Sequence, residues 1–167
     1  MFIAHLPAGY LLTTWLQKKF NSTKFLWLGL LASVFPDVDL IYFYLIDHRQ
    51  TLHHHYFTHL PLVWLALWLL IALPCIIFKK RTALAITTII FANIILHFVL
   101  DSFVGGIAWL YPFSDYNLFL ATVPATHNFW VWSFIFHWTF LVELTIVVWA
   151  IMLLFRNISR KNSAKYL

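Results

Sequence analysis

Charge is scarce in this 167-residue chain: Asp, Glu, Lys and Arg make up 10% of it, and only six residues are acidic. Soluble domains carry about 25% charged residues, so an ordinary water-solvated surface is excluded. Cysteine is rarer still. The one cysteine, Cys75, lies inside an apolar run, which excludes a disulfide scaffold. No internal repeat or low-complexity segment is visible, and the composition excludes disorder, collagen and coiled coil. Apolar side chains take their place, with 62% hydrophobic residues, 20% aromatic residues and a mean hydropathy of +0.81. These values point to lipid as the solvent. The net charge of +5 then reports membrane topology rather than a nucleic-acid partner. The expectation is one all-α integral membrane domain over residues 1–167, ending in a short basic cytoplasmic tail at 156–167.

Four stretches are long enough to cross a bilayer, at about 20 residues per helix: Phe25–Ile46, Leu60–Phe78, Ala83–Leu100 and Phe129–Phe155. A shorter fifth, Ile3–Gln17, carries Pro7 and Gly9 and lacks the basic start and cleavage site of a signal peptide. The prediction is a polytopic bundle of about five helices, the second broken at Pro36-Asp37-Val38-Asp39. Ten of the eleven Lys and Arg residues fall at one end of these stretches, and only Arg49 falls at the other. The positive-inside rule puts the basic end in the cytoplasm, so the loops at 47–59 and 101–128 face outward.

Ionisable groups at membrane depth cost at least a few kcal/mol each and mark functional sites by default. All six acids, Asp37, Asp39, Asp47, Asp101, Asp115 and Glu143, lie in the spans or outer loops. Nine histidines accompany them: His5, His48, His53, His54, His55, His59, His97, His127 and His137. At a rise of about 1.5 Å per residue, Asp37, Asp39, His97, His5 and His137 all fall about 18–21 Å above the basic end. Glu143 falls deeper, and no other polar residue is read as a path toward the cytoplasm. His97 and Asp101 are four apart on one helix, so both project from one face, with Asn93 one turn below. Pro36 breaks the helix and frees two carboxylates, and the run is read as extended, with Asp37 and Asp39 pointing opposite ways. Four imidazoles crowd residues 53–59. A His and Asp set without Cys suits Zn, Fe, Mn or Ni, with zinc the first expectation. Read blandly, the same features are an N-capping aspartate, a solvated histidine loop and a chance pair. His127 reads as a surface or capping residue and Glu143 as a hydrogen-bond partner of Thr139, while His137 reads either way.

In order along the chain come Ala4-His5-Leu6, Pro36-Asp37-Val38-Asp39, His54-His55-Tyr56-Phe57-Thr58-His59, His97-Phe98-Val99-Leu100-Asp101 and Tyr111-Pro112-Phe113-Ser114. The series resembles the bacterial inner-membrane metal-dependent hydrolases of the YdjM type, over roughly residues 1–115. Their pattern is an early His, PDxD, HRGFTHS, HxxLD and W-P-x-S. More distantly it is similar to zinc-dependent phospholipase C, where an aspartate of an HxxxD helix helps hold several zinc ions. Here His55 and Tyr56 replace the Arg-Gly of the pattern, and Leu60 replaces its Ser. The later HxxxE pair of the phospholipase has no counterpart, since Leu141 stands four residues after His137.

The resemblance implies a metal-dependent hydrolase in the bacterial inner membrane, its site facing the periplasm. One or two divalent ions are expected on His5, Asp37, His54, His59, His97 and Asp101, with His5 joining the second. Asp39 is expected as a general base or as a carboxylate behind a ligand. His55 is expected to donate to developing charge in place of the missing arginine. The substrate class is a phosphoester or ester of a membrane lipid or lipid-linked molecule. Two other readings stand beside this one: a non-catalytic metal or proton site serving transport or sensing, and a metal that only staples short helices.

Overall fold

The computed structural model describes residues 3–22, 24–51 and 53–163; Lys165 of the expected basic tail lies outside them. Among the described residues the chain forms helices and irregular loops, with a single isolated bridge between Ile107 and Leu118. The first helix, α1 (His5–Lys19), has Pro7 in its opening turn, where a missing N–H breaks no intrahelical bond. Lys18 and Lys19 close it and oppose the negative end of its dipole. Its 15 residues are about 22 Å long, short of a hydrocarbon core of about 30 Å.

The second unit is broken as expected, into α2 (Leu26–Val34), a 3-10 turn (Phe35–Val38) and α3 (Asp39–Leu45). The Pro36-Asp37-Val38-Asp39 run is not extended, which corrects the sequence reading. Proline is tolerated near the start of a helical turn, and here it opens the 3-10 turn instead of ending helical structure. Then follow α4 (Pro61–Ile77) and α5 (Arg81–Asp101). Pro61 begins α4 at the position where proline is favoured.

A second correction concerns Phe129–Phe155. It is two helices, α6 (Trp130–Ile135) and α7 (Thr139–Ser163), separated at Phe136–Trp138. The His137 ring accepts from the Thr139 hydroxyl at 2.9 Å, beside a backbone N–H that opens α7. Such local bonding competes with a continuous helix.

Among the described residues three units are long and apolar enough to cross a membrane, namely Leu26–Leu45, Arg81–Asp101 and Thr139–Arg160, while the apolar Pro61–Ile77 is shorter. Helix α5 is central, packing on α1, α2 and α4, and α1 also packs on α2 and α7. Gly29 permits the closest approach, because a Cβ there would lie 2.0 Å from the Thr13 hydroxyl oxygen. Small residues serve this purpose where membrane helices meet.

Burial is inverted relative to a soluble protein. Trp27, Leu70, Ile77 and Phe155 are exposed, whereas Thr13, His59, Asn93, His97, Asp101 and Glu143 are buried. An apolar exterior around a polar interior is what lipid requires. Apart from Arg49, the described basic residues sit at the C-terminal ends of α1, α4 and α7 and the N-terminal ends of α2 and α5. His5, Asp37, His59, His97 and Asp101 sit at the opposite ends of these units.

Candidate metal centre

Asp37, His59, His97 and Asp101 each place one ligand atom within 4.8 Å of all the others, as a metal site requires. The i,i+4 pair forms on the last turn of α5, with His97 Nε2 2.9 Å from Asp101 Oδ2. Asp37 enters from the 3-10 turn, its Oδ1 3.6 Å from His97 Nε2 and 3.8 Å from His59 Nε2. His59 enters from a 3-10 turn at Phe57–His59, its Nε2 3.4 Å from that of His97.

The other ring nitrogens fix the tautomers. His97 Nδ1–H donates to the Ser33 carbonyl at 2.9 Å, and a carbonyl can only accept. Helix α2 ends just after Ser33, and Pro36 contributes no N–H to the carbonyls of that turn. His59 Nδ1–H donates to Asp39 Oδ2 at 2.6 Å, and the Thr58 hydroxyl donates to the same oxygen. The Trp64 indole holds this turn through the Thr58 carbonyl at 2.9 Å. In the neutral rings both Nε2 atoms therefore turn lone pairs toward each other and toward two carboxylates. Such acceptors repel at these distances unless a proton or a metal cation lies among them, and the Nδ1 partners are the usual supports of metal-binding histidines. Asp37 is 32% exposed while the other three are nearly fully buried, so the group is open on one side.

Two further histidines reach Asp101. His5 Nε2 lies 3.1 Å from Oδ1, and its ring lies 4.1 Å from that of His97. His54 Nε2 lies 3.8 Å from Oδ2, while its Nδ1–H donates to the Gly105 carbonyl at 2.7 Å. Burial lowers the pKa of His54, with Asp101 pulling the other way, which favours a neutral ring with a lone pair at Nε2. Gly105 is required by this contact, since a Cβ there would lie 2.2 Å from the His54 ring.

Of the residues singled out from sequence, His5, Asp37, His54, His59, His97 and Asp101 converge, and Asp39 lies directly behind His59. His55 does not join them; it is exposed and lines a separate cavity. His137 and His127 make local contacts with Thr139 and Thr126. Because α7 begins at Thr139, Glu143 is one turn from its N-terminal end rather than deep in the helix. Its carboxylate accepts from the backbone N–H groups of Ile3 and Ala4, and so anchors the chain just before His5.

The expected lack of polar residues toward the basic end is also corrected. Asn93 donates to the Thr13 hydroxyl at 2.9 Å, and Ser33, Thr13, Asn93 and Gln17 are all buried between α1, α2 and α5. Ser33 and Asn93 are single polar letters in apolar windows, Thr13 stands beside Thr14 and Gln17 beside Lys18, and only their meeting across helices makes them a group.

A family model described as YdjM inner membrane protein matches residues 1–163. No curated protein and no solved structure matches the chain.

Proposed function

The chain belongs to the YdjM inner membrane protein family, and from that premise we propose that it is a divalent-metal-dependent hydrolase embedded in the membrane. Its substrate is a phosphoester or ester of a lipid or lipid-linked molecule at the outer leaflet. The observation that carries the reading is the meeting of His59 Nε2 and His97 Nε2 at 3.4 Å, among Asp37 and Asp101. Those four residues would hold the ion, with zinc the first choice for a His and Asp set. A bound divalent ion supplies a Lewis acid and a water whose pKa falls toward about 7.

The chain's own residues do the rest. Asp39 keeps the proton of His59 on Nδ1 and leaves Nε2 for the ion. Ser33 and Gly105 do the same for His97 and His54 through their carbonyls. The partial exposure of Asp37 gives substrate a way in, while the bundle closes the remaining sides. Asp101, reached by His5 on one oxygen and His54 on the other, gives a second ion a place beside the first.

The test is metal analysis of purified protein, followed by a screen of phosphoester and acyl-ester lipids. The expected result is about one or two equivalents of a transition metal and chelator-sensitive hydrolysis of one lipid class. Metal-free protein that keeps its fold would end the reading.

Orientation is checked independently. A reporter fused at residue 80 is expected to read cytoplasmic, and one near residue 115 periplasmic, as the basic residues dictate. The reverse result would move the site to the cytoplasmic leaflet and change the substrates available to it.

A second reading, a non-catalytic cation or proton site serving transport or sensing, is favoured by one observation. The buried Ser33, Thr13, Asn93 and Gln17 lead from beneath His97 toward the basic end. Buried Asn, Thr and Gln also serve as plain hydrogen-bonding glue between membrane helices.

A further inference from the structure

Two sequence features remain outside the metal centre: His55, where the family pattern has an arginine, and the Tyr111-Pro112-Phe113-Ser114 segment. The fold brings them to one place. A cavity of about 360 Å³ is lined by His55, Phe57, Leu60, Tyr111, Asp115 and Asn117. It shares a loop with the metal centre, since His54, Thr58 and His59 lie in the same seven-residue segment as His55, Phe57 and Leu60. Its volume is at the low end of ligand pockets, which run about 300–1,000 Å³, and suits a headgroup better than a lipid tail.

The polar lining mixes acceptors with donors. Asp115 is an acceptor. Asn117 donates its amide N–H to the Asp115 carbonyl at 3.3 Å, which leaves its buried Oδ1 as an acceptor without a hydrogen-bond partner among the described residues. The Tyr111 hydroxyl and the His55 imidazole can each donate and accept. Phe57 and Tyr111 add aromatic surface. An ammonium group pairs with the Asp115 carboxylate and the Asn117 Oδ1, but it makes no use of Tyr111 or His55 as donors. A phosphate or carboxylate would meet the Asp115 charge with no Lys or Arg in the lining. Hydroxyl groups both donate and accept, and the C–H face of a sugar ring packs on aromatic rings.

We infer that this cavity is a saccharide subsite, holding the sugar of a lipid-linked glycoside or glycolipid through Asp115, Asn117, Tyr111 and His55. The inference rests on the hydrolase reading for its substrate, but binding can be tested apart from turnover. The protein is placed in phosphatidylcholine nanodiscs containing dihexosyl-diacylglycerol, phosphatidylethanolamine and phosphatidylglycerol at equal mole fraction. Lipid retained by the protein is then counted by mass spectrometry.

The expected result is retention of the glycolipid about tenfold above either phospholipid. That preference is expected to vanish in Asp115→Ala and in Tyr111→Ala, and to survive in His97→Ala, which lacks a metal ligand. Equal retention of all three lipids, a preference for either phospholipid, or a sugar preference untouched by Asp115→Ala would overturn the subsite. Loss of the preference in His97→Ala would also overturn it, by placing the sugar at the metal. Glycolipid that is retained with the expected mutant pattern but never cleaved leaves the subsite standing and counts against the hydrolase.

Discussion

Replacing His97 or Asp101 by alanine is expected to strip the purified protein of most of its metal. Both side chains leave the last turn of α5, and together they supply an imidazole and a carboxylate 2.9 Å apart. Asp101 carries more than its own bond, because His5, His54, His59 and His97 all lie within 3.9 Å of its carboxylate. Losing it removes the one carboxylate that all four imidazoles share and leaves Asp37 beside only His59 and His97, so Asp101→Ala is expected to lower thermal stability as well. Asp101→Asn keeps the volume and separates the two effects. It is expected to keep the fold while losing metal by more than the 10–100-fold typical of a supporting residue. Elemental analysis beside a melting curve makes the measurement. Full metal occupancy in both His97→Ala and Asp101→Ala would remove α5 from the site.

This pair was legible because it needs only one helix and a spacing of four. The Asp37 position was legible for a similar reason, since a proline followed by two carboxylates in an apolar run marks a change of helical geometry, here a 3-10 turn. The supports of the site were not. Ser33 and Gly105 act through backbone carbonyls, which every residue carries, and only the fold says which carbonyl faces an imidazole. Glu143 was misplaced because residues 129–155 are predominantly apolar, with no proline or glycine to announce the break at Phe136–Trp138. Moving the start of the last helix to Thr139 lifts Glu143 by ten residues of helix, to the level of His5. The Asp37–Asp39 spacing was read with the period of a strand, whereas the chain makes a 3-10 turn there. The two carboxylates still have different partners, since Asp37 joins the ligand group and Asp39 binds the back of His59.

The polar file between α1, α2 and α5 bears on which cation the centre holds. Buried polar side chains in a bilayer need partners, and Asn93 finds Thr13 and the Ile89 carbonyl. Its Oδ1 and the Gln17 Nε2 have no hydrogen-bond partner among the described residues. Ordered water would satisfy both atoms. Water there would carry protons as readily as it would glue helices, so the file does not itself choose between relay and structure. The site has to choose, and the residue best placed to do so is Asp39.

Asp39→Asn is expected to leave the metal in place while reducing lipid hydrolysis by about 10–100-fold. Asp39 is 7% exposed and its Oδ2 is taken up by His59 Nδ1–H and the Thr58 hydroxyl, so it acts through His59 rather than on a substrate. Asparagine can turn its carbonyl oxygen to the same two donors and preserve the turn. It cannot supply the negative charge that makes His59 a strong donor to the ion. A positioning role of this kind weakens the ligand and shifts the pH profile of turnover, because the water on the less neutralised ion ionises at lower pH. A purely structural role would move stability and leave that profile unchanged. Asp39→Glu, which restores the charge, is expected to recover part of the rate. If the centre is a relay, the same variant blocks proton or ion movement and there is no hydrolysis to lose. If it is a staple, melting temperature alone responds. Metal content, melting curve and pH–rate profile of this one variant therefore separate the three readings, and loss of the metal with Asp39→Asn would make Asp39 itself a ligand.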